Sequence, residues 1–289
     1  MNIRSTFAKE VRAGTTRWTA GVFDALSARV AQQSGFPAVM TTGFGISASL
    51  LGQPDAELYT LTENVGVVRN VVNAVTVPVI ADADTGYGNA INVMRTVREL
   101  EQAGVSGLIL EDQLSPKRCP AIASAVELIP VREGVAKIKA AVEARRDADL
   151  VIVARTDAMT ESEAIDRAGQ YAQAGADLIQ PISPCFNSYE GLKRLRAACG
   201  KPLSLQIVGW LESDLSAAQI EDVAGLAVYP LNGIFTVAAS LAANYSSLWV
   251  HKSARNLPAP ALTMKEFKDF IGFAEMEALQ KRLLSAERT

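Results

Sequence analysis

Cysteine, histidine and clustered positive charge are all scarce in this chain of 289 residues. The three cysteines, Cys119, Cys185 and Cys199, are odd in number and lack CxxC spacing, which argues against both a disulfide framework and a thiolate zinc site. The single histidine, His251, falls in a late helical segment away from any strand end, so a Ser-His or Cys-His dyad has little support. Lysine and arginine number 28 against 31 acidic residues, for a formal charge of -3, and there is no basic run. Nucleic acid and anionic membrane surfaces are therefore poor partners. Apolar stretches are broken by charge or glycine before they reach membrane-spanning length, and the start MNIRSTFAKEVRAG lacks the apolar centre of a signal peptide. A cytoplasmic location is expected. Also missing are a Pro/Ser/Gly-rich linker and, after the first strand, the GxGxxG fingerprint of dinucleotide folds, so one domain over 1–289 is a better reading than two.

What is present is a repeated alternation. TAGV near residue 19, FPAVMTTG, VPVIADAD, VSGLILED, DLVIVARTD, ADLIQPIS, PLSLQIV and LAVYPL are short runs rich in Val, Ile and Leu, continuous enough to be buried on both faces as parallel strands are. Amphipathic segments such as NAINVMRTVRELEQAG and YEGLKRLRAACG separate them, several ending in a glycine suited to a helix C-terminus. Eight strand–helix units predict a (β/α)8 barrel, with a doubly wound open sheet as the runner-up. A further amphipathic segment, 263–284, lies beyond the barrel. It predicts a C-terminal helical extension over 260–289 that packs on its own barrel or is exchanged between subunits.

On a barrel of this kind, catalytic groups sit at the C-terminal ends of strands. Asp82 and Asp84 end the third run, Glu111 and Asp112 the fourth, Arg155 and Asp157 the fifth. Residues two apart in a strand point the same way, so Asp82 and Asp84 are expected to project together into the barrel mouth. Like charges that close need a cation or a shared proton. Hard oxygen donors without histidine favour Mg2+, with Mn2+ as the alternative. The structural alternative is that the pair caps the next helix or meets a neighbouring arginine. Cys119 lies in SPKRCPAIAS, a polar, proline-punctuated loop, beside Lys117 and Arg118, cations that would lower its pKa and favour thiolate chemistry or proton transfer. Cys185 and Cys199 read as filler.

The stretch DADTGYGNAINVMRTVRELEQAGVSGLILEDQLSPKRCP, together with TTGFGISASLLGQPD and VIVARTDA, resembles the signature region of the isocitrate lyase/phosphoenolpyruvate mutase superfamily, and most of all its methylisocitrate lyase branch. The resemblance implies that Asp82, Asp84 and Glu111 hold Mg2+, mostly through waters, with Asp55 close by. It implies that the backbone at Thr42, Gly43 and Phe44, together with Arg155, receives a 2-oxo or 2-hydroxy carboxylate. It implies that Cys119 protonates the enolate left by carbon–carbon cleavage, and that the protein is a homotetramer with exchanged C-terminal helices. Three departures bear on the substrate. The loop reads Cys119-Pro120-Ala121 where relatives have Cys-Gly-His, a Pro-Glu pair becomes Pro181-Ile182, and a carboxylate-binding Asn becomes Gln206. The expected activity is a Mg2+-dependent carbon–carbon lyase acting on 2-methylisocitrate or a substituted malate. Oxaloacetate decarboxylation or hydrolysis, P–C chemistry on a phosphonopyruvate, and 2-oxo acid binding without turnover are the alternatives.

Overall fold

Eight parallel strands close into a barrel in the computed structural model of the chain, which describes residues 2–118, 126–182 and 185–284. The strands are β1 (Arg17–Val22), β2 (Val39–Thr41), β3 (Val79–Asp82), β4 (Gly107–Glu111), β5 (Val151–Thr156), β6 (Leu178–Pro181), β7 (Leu203–Gln206) and β8 (Ala224–Tyr229), and β8 pairs back onto β1. They are the eight runs expected from the sequence. Each is hydrogen-bonded on both edges, and β2 to β7 are buried along their whole length, which is why those runs are continuous rather than alternating, while β1 is partly exposed at Arg17, Trp18 and Ala20.

The chain divides into two compact units, one ending at Ile234 and one starting at Phe235. In the first, helices cover the barrel. Local chemistry fixes their ends: Asn89 accepts from the amides of Ile91 and Asn92 at the start of Ala90–Ala103, and Gly104, at φ +100°, ends that helix in the left-handed conformation. The barrel interior has two layers. Met40, Ile80, Ile109, Val151, Val153, Leu178, Leu226 and Val228 fill the lower one, against Phe7, Ala8 and Val11 of an N-terminal helix, Ile3–Arg12. That helix closes the bottom of the barrel. Salt bridges from Arg4 to Asp147 (2.8 Å) and from Arg12 to Asp177 (2.9 Å) anchor it.

The second unit holds most of the long helix Asn232–His251, which ends at the lone histidine, and two shorter helices, Met264–Ile271 and Phe273–Leu284. The sequence predicted one helix over 263–284. Gly272, at φ +94°, interrupts it. Asn244 holds the connecting segment through both sides of its amide, donating to Ala259 O (3.1 Å) and accepting from Ala259 N (2.9 Å). None of these three helices contains a buried residue. Among the described residues no helix is long and apolar enough to cross a membrane.

Candidate active site

The two-residue period of the strands builds the site directly above the apolar layer. Ile80, Ile109, Val153 and Leu178 point into the barrel, so the residues two positions on, Asp82, Glu111, Arg155 and Gln180, point in as well, one layer nearer the C-terminal mouth. Gln206 on β7 joins them, donating to Gln180 Oε1 at 3.0 Å, and Ser204 donates to the same oxygen at 2.8 Å. All five are at least nine-tenths buried. The same parity sends Asp112 outward. It accepts from Thr156 Oγ1 (2.8 Å), Tyr171 OH (2.8 Å), Asp157 N (3.0 Å) and Arg167 (3.2 Å), an arrangement that ties β4 and β5 to the helix Glu161–Gln173. Adjacent acids in the sequence thus have different roles, one facing the mouth and the other pinning the outer layer.

Asp84 reaches the mouth by another route than expected. The strand stops at Asp82, and Asp84 has φ +48°, so alternation does not aim it. A left-handed turn folds it back instead, with its N–H donating to Asp82 Oδ1 (3.1 Å) and Tyr87, also left-handed, donating to Asp84 Oδ2 (3.0 Å). Asn64 supports the turn from below, donating to Asp82 O (2.8 Å) and Tyr87 OH (2.9 Å). A Cβ placed on Gly43 would lie 2.8 Å from Tyr59 OH, 3.0 Å from Asp82 Oδ2 and 3.1 Å from Asp84 Oδ1, so three oxygens converge where glycine leaves room.

Lys117 was expected to act on the Cys119 thiol. Its ammonium is instead buried at 2.5 Å from Asp84 Oδ1 and 3.0 Å from Asp55 Oδ1, and Arg118 faces the exposed Glu127. Cys119 itself, with Pro120 and Ala121, lies outside the described residues. Arg155 is held between Glu111 Oε2 (2.7 Å) and Asp157 (2.9 Å). Thr42 caps the short helical turn Gly43–Ile46 by accepting from Gly45 N (3.1 Å), Gly43 N donates to Asp82 Oδ2 (2.9 Å), and Phe44 is half-buried on the same turn.

Electrostatics set the protonation of the cluster. Burial, reinforced by Asp84, raises the Asp82 carboxyl above its ordinary range. Burial would raise Asp84 too, but the Lys117 ammonium outweighs it and holds Asp84 below the ordinary value. Glu111 is pushed up to about 8, chiefly by burial and against the pull of Arg155. Lys117 and Arg155 stay charged because the surrounding carboxylates overcome their desolvation. Carboxylates outnumber cations here, and Glu111 Oε1 is buried without a hydrogen-bond donor. Both features suit a divalent cation. Among the described residues no group of three or more His, Cys, Asp or Glu side chains is arranged to hold a metal ion by itself. Asp82, Asp84 and Glu111 are the acids that would face such an ion, each buried at the mouth.

Sequence reasoning did not single out Gln180, Tyr59, Tyr87, Glu57 or the true direction of Lys117. For Gln180 a signal existed, since it occupies the same strand position as Arg155. For Glu57 and Lys117 there was none, because their partners are distant in sequence.

The chain matches the family description phosphoenolpyruvate phosphomutase over residues 9–243. It is 40% identical over 265 residues to 2,3-dimethylmalate lyase of Eubacterium barkeri, spanning 90% of this chain and 91% of that one. It is 42% identical over 206 residues to oxaloacetate decarboxylase 1 of Pseudomonas putida (strain W619), spanning 71% of this chain and 70% of that one. The crystal structure of a phosphonopyruvate hydrolase complex with oxalate and Mg++ superposes with a TM-score of 0.87 at 28% identity, covering 98% of this chain and all of the other.

Proposed function

This chain belongs to the phosphoenolpyruvate phosphomutase family, and from that premise we propose that it is a divalent-metal-dependent lyase that splits a carbon–carbon bond of a 2-hydroxy dicarboxylate of the substituted-malate type. The observation that carries the reading is the buried pairing of an acid cluster, Asp82, Asp84 and Glu111, with two fixed cations, Lys117 and Arg155, at the mouth of the barrel. Similarity to 2,3-dimethylmalate lyase over nearly the whole of both chains supports the substrate class.

In such a cleavage the C2 hydroxyl loses its proton, the C2–C3 bond breaks to give a 2-oxo acid, and the electron pair of that bond passes into the neighbouring carboxylate as an enolate that is protonated at C3. When bound, Mg2+, or Mn2+ in its place, supplies Lewis-acid polarisation of the 2-oxygen. Arg155 binds the carboxylate beside that oxygen and is kept from swinging by Glu111 on one side and Asp157 on the other. Lys117 adds a fixed positive charge to the same low-dielectric space. The turn at Thr42, Gly43 and Phe44 borders the substrate carboxylate, and Asp55 holds Lys117 from the opposite side to Asp84. Gln206 and Gln180 offer neutral amides to the far end of the substrate, which favours a short dicarboxylate over a tricarboxylate, and Ile182 at the end of β6 suits an alkyl substituent. Cys119 delivers the proton at C3.

Assay of 2,3-dimethylmalate, citramalate, 2-methylisocitrate and oxaloacetate with Mg2+ tests this. Release of a 2-oxo acid from a substituted malate is the expected result, and turnover of oxaloacetate alone would replace the lyase reading with decarboxylation. Cys119→Ser separates the two, since a lyase loses most of its rate, by about 100-fold or more for a missing general acid, and a decarboxylase loses little. We further propose a homotetramer in which residues 260–289 are exchanged between subunits. Support comes from Trp249 and Val250, 77% and 69% exposed on a helix with no buried residue.

A further inference from the structure

Three of the four non-glycine residues with left-handed backbone among the described residues, Glu57, Asp84 and Tyr87, surround the candidate site. A glutamate has no local reason to adopt φ +55°, because its side chain is too long for the short-range hydrogen bond that lets Asn or Asp tolerate this conformation. Such a residue persists when its surroundings over-determine it. Glu57 is held in this way. Its Oε1 accepts from Thr85 Oγ1 (2.5 Å), just after the Asp82–Asp84 turn, and its Oε2 accepts from Ser115 Oγ (2.7 Å) and from the Lys117 backbone N–H (3.0 Å).

Those three donors belong to two segments, and Glu57 itself to a third, two residues from Asp55. The carboxylate therefore joins the Asp55 loop, the turn after β3 and the chain entering the Lys117-Arg118 segment. With the backbone fixed at 115 and 117, the ammonium sits between Asp84 Oδ1 and Asp55 Oδ1, fully inside the protein. Gln113 holds the next residue, accepting from Arg118 N at 2.9 Å while donating to Asp157 at 2.5 Å, but it makes no bond that orients Lys117.

We propose that Glu57 is a positioning residue that fixes the backbone of Lys117 so that its ammonium is delivered to Asp84 and Asp55, while itself touching no substrate. The link to turnover rests on the lyase reading above, whereas the link to the backbone at 115–118 does not.

Glu57→Gly tests both, because glycine accepts the left-handed conformation while the side chain is removed together with its carboxylate. Two hydrogen bonds from the 115–117 segment to a charged acceptor are lost, enough to raise local opening by about tenfold or more. Trypsin cleavage after Lys117 and Arg118, followed by mass spectrometry on the full chain, should accelerate by that factor, while the thermal midpoint stays near that of the unsubstituted protein. Ser115→Ala, which removes one donor, should shift cleavage the same way by less. On a substrate that is turned over, Glu57→Gly should lower kcat at least as far as KM rises. A cleavage rate unchanged in both variants overturns the proposal. Cleavage that accelerates only together with a global loss of thermal stability also overturns it, since Glu57 would then be a general structural residue. Faster cleavage in a chain that processes none of the assayed acids supports the positioning role and overturns the lyase reading alone.

Discussion

Asp84 meets Lys117, Tyr87 and, through its backbone N–H, Asp82, all from a conformation a strand does not supply. Its placement depends on Gly43, which leaves the space where Tyr59, Asp82 and Asp84 converge. Gly43→Ala puts a methyl within 3.1 Å of three buried oxygens, so the turn must shift. A destabilisation of about 1–3 kcal/mol is expected, together with weaker Mg2+ binding by calorimetry. Arg155→Lys retains charge but loses the fork that engages Glu111 and Asp157 together, and kcat/KM should fall about 100-fold or more with little change in secondary structure by circular dichroism. At this scale Asp82, Glu111 and Arg155 were legible, because a two-residue period beyond an apolar run states which way a side chain points. Lys117 was visible but misdirected. Adjacency to Cys119 in sequence suggested one partner, and the fold supplied Asp84 and Asp55, which lie 33 and 62 positions earlier in the chain.

Among the elements, the helix Ile3–Arg12 shows how a short segment can matter beyond its own propensity. Phe7, Ala8 and Val11 give it a narrow apolar face that is stable only because it closes the base of the barrel. Phe7→Ala should cost about 3–5 kcal/mol, read as a lower urea midpoint, since the ring is completely enclosed. The salt bridge of Arg4 with Asp147 adds a pH-dependent part. The Asp147 carboxyl is held below its ordinary 3.8, first by the Asp149 N–H and then by Arg4. A lowered carboxyl pKa stabilises the fold above the unfolded value, and the effect is lost as pH falls through the folded value. Asp147→Ala should therefore be less stable near neutrality, by at most about 1 kcal/mol at so exposed a pair, and the gap to the unsubstituted protein should close below pH 3.8 in thermal melts. All eight strands were readable, since uninterrupted Val/Ile/Leu runs of strand length between helical periods leave few alternatives. The N-terminal helix went unnoticed because its apolar face is too narrow to separate it from a polar leader, and the break at Gly272 was hidden by apolar spacing that continues across it.

For the molecule as a whole, two measurements probe the proposed metal and assembly. Stripping the protein with EDTA should abolish turnover and addition of Mg2+ should restore it, while activity that persists after exhaustive chelation would remove the metal from the mechanism. Truncation after residue 259 should lower the number of subunits found by sedimentation below that of the full chain, and an unchanged number would show that the extension does not hold the subunits together. The exposed apolar residues of the second unit, among them Tyr245, Trp249, Met264 and Leu284, give that experiment its reason.

By itself the sequence determined the barrel, the order of its strands and that Asp82, Glu111 and Arg155 face its mouth, because backbone periodicity and burial on both faces are local properties carried by a few residues at a time. The tertiary structure decided where the charges meet. Lys117 drawn to two acids from separate loops, and Glu57 bound to Thr85 and Ser115, are contacts between segments that only barrel closure brings together. Electrostatic energy depends on distance through space, and distance along the chain contains no record of it.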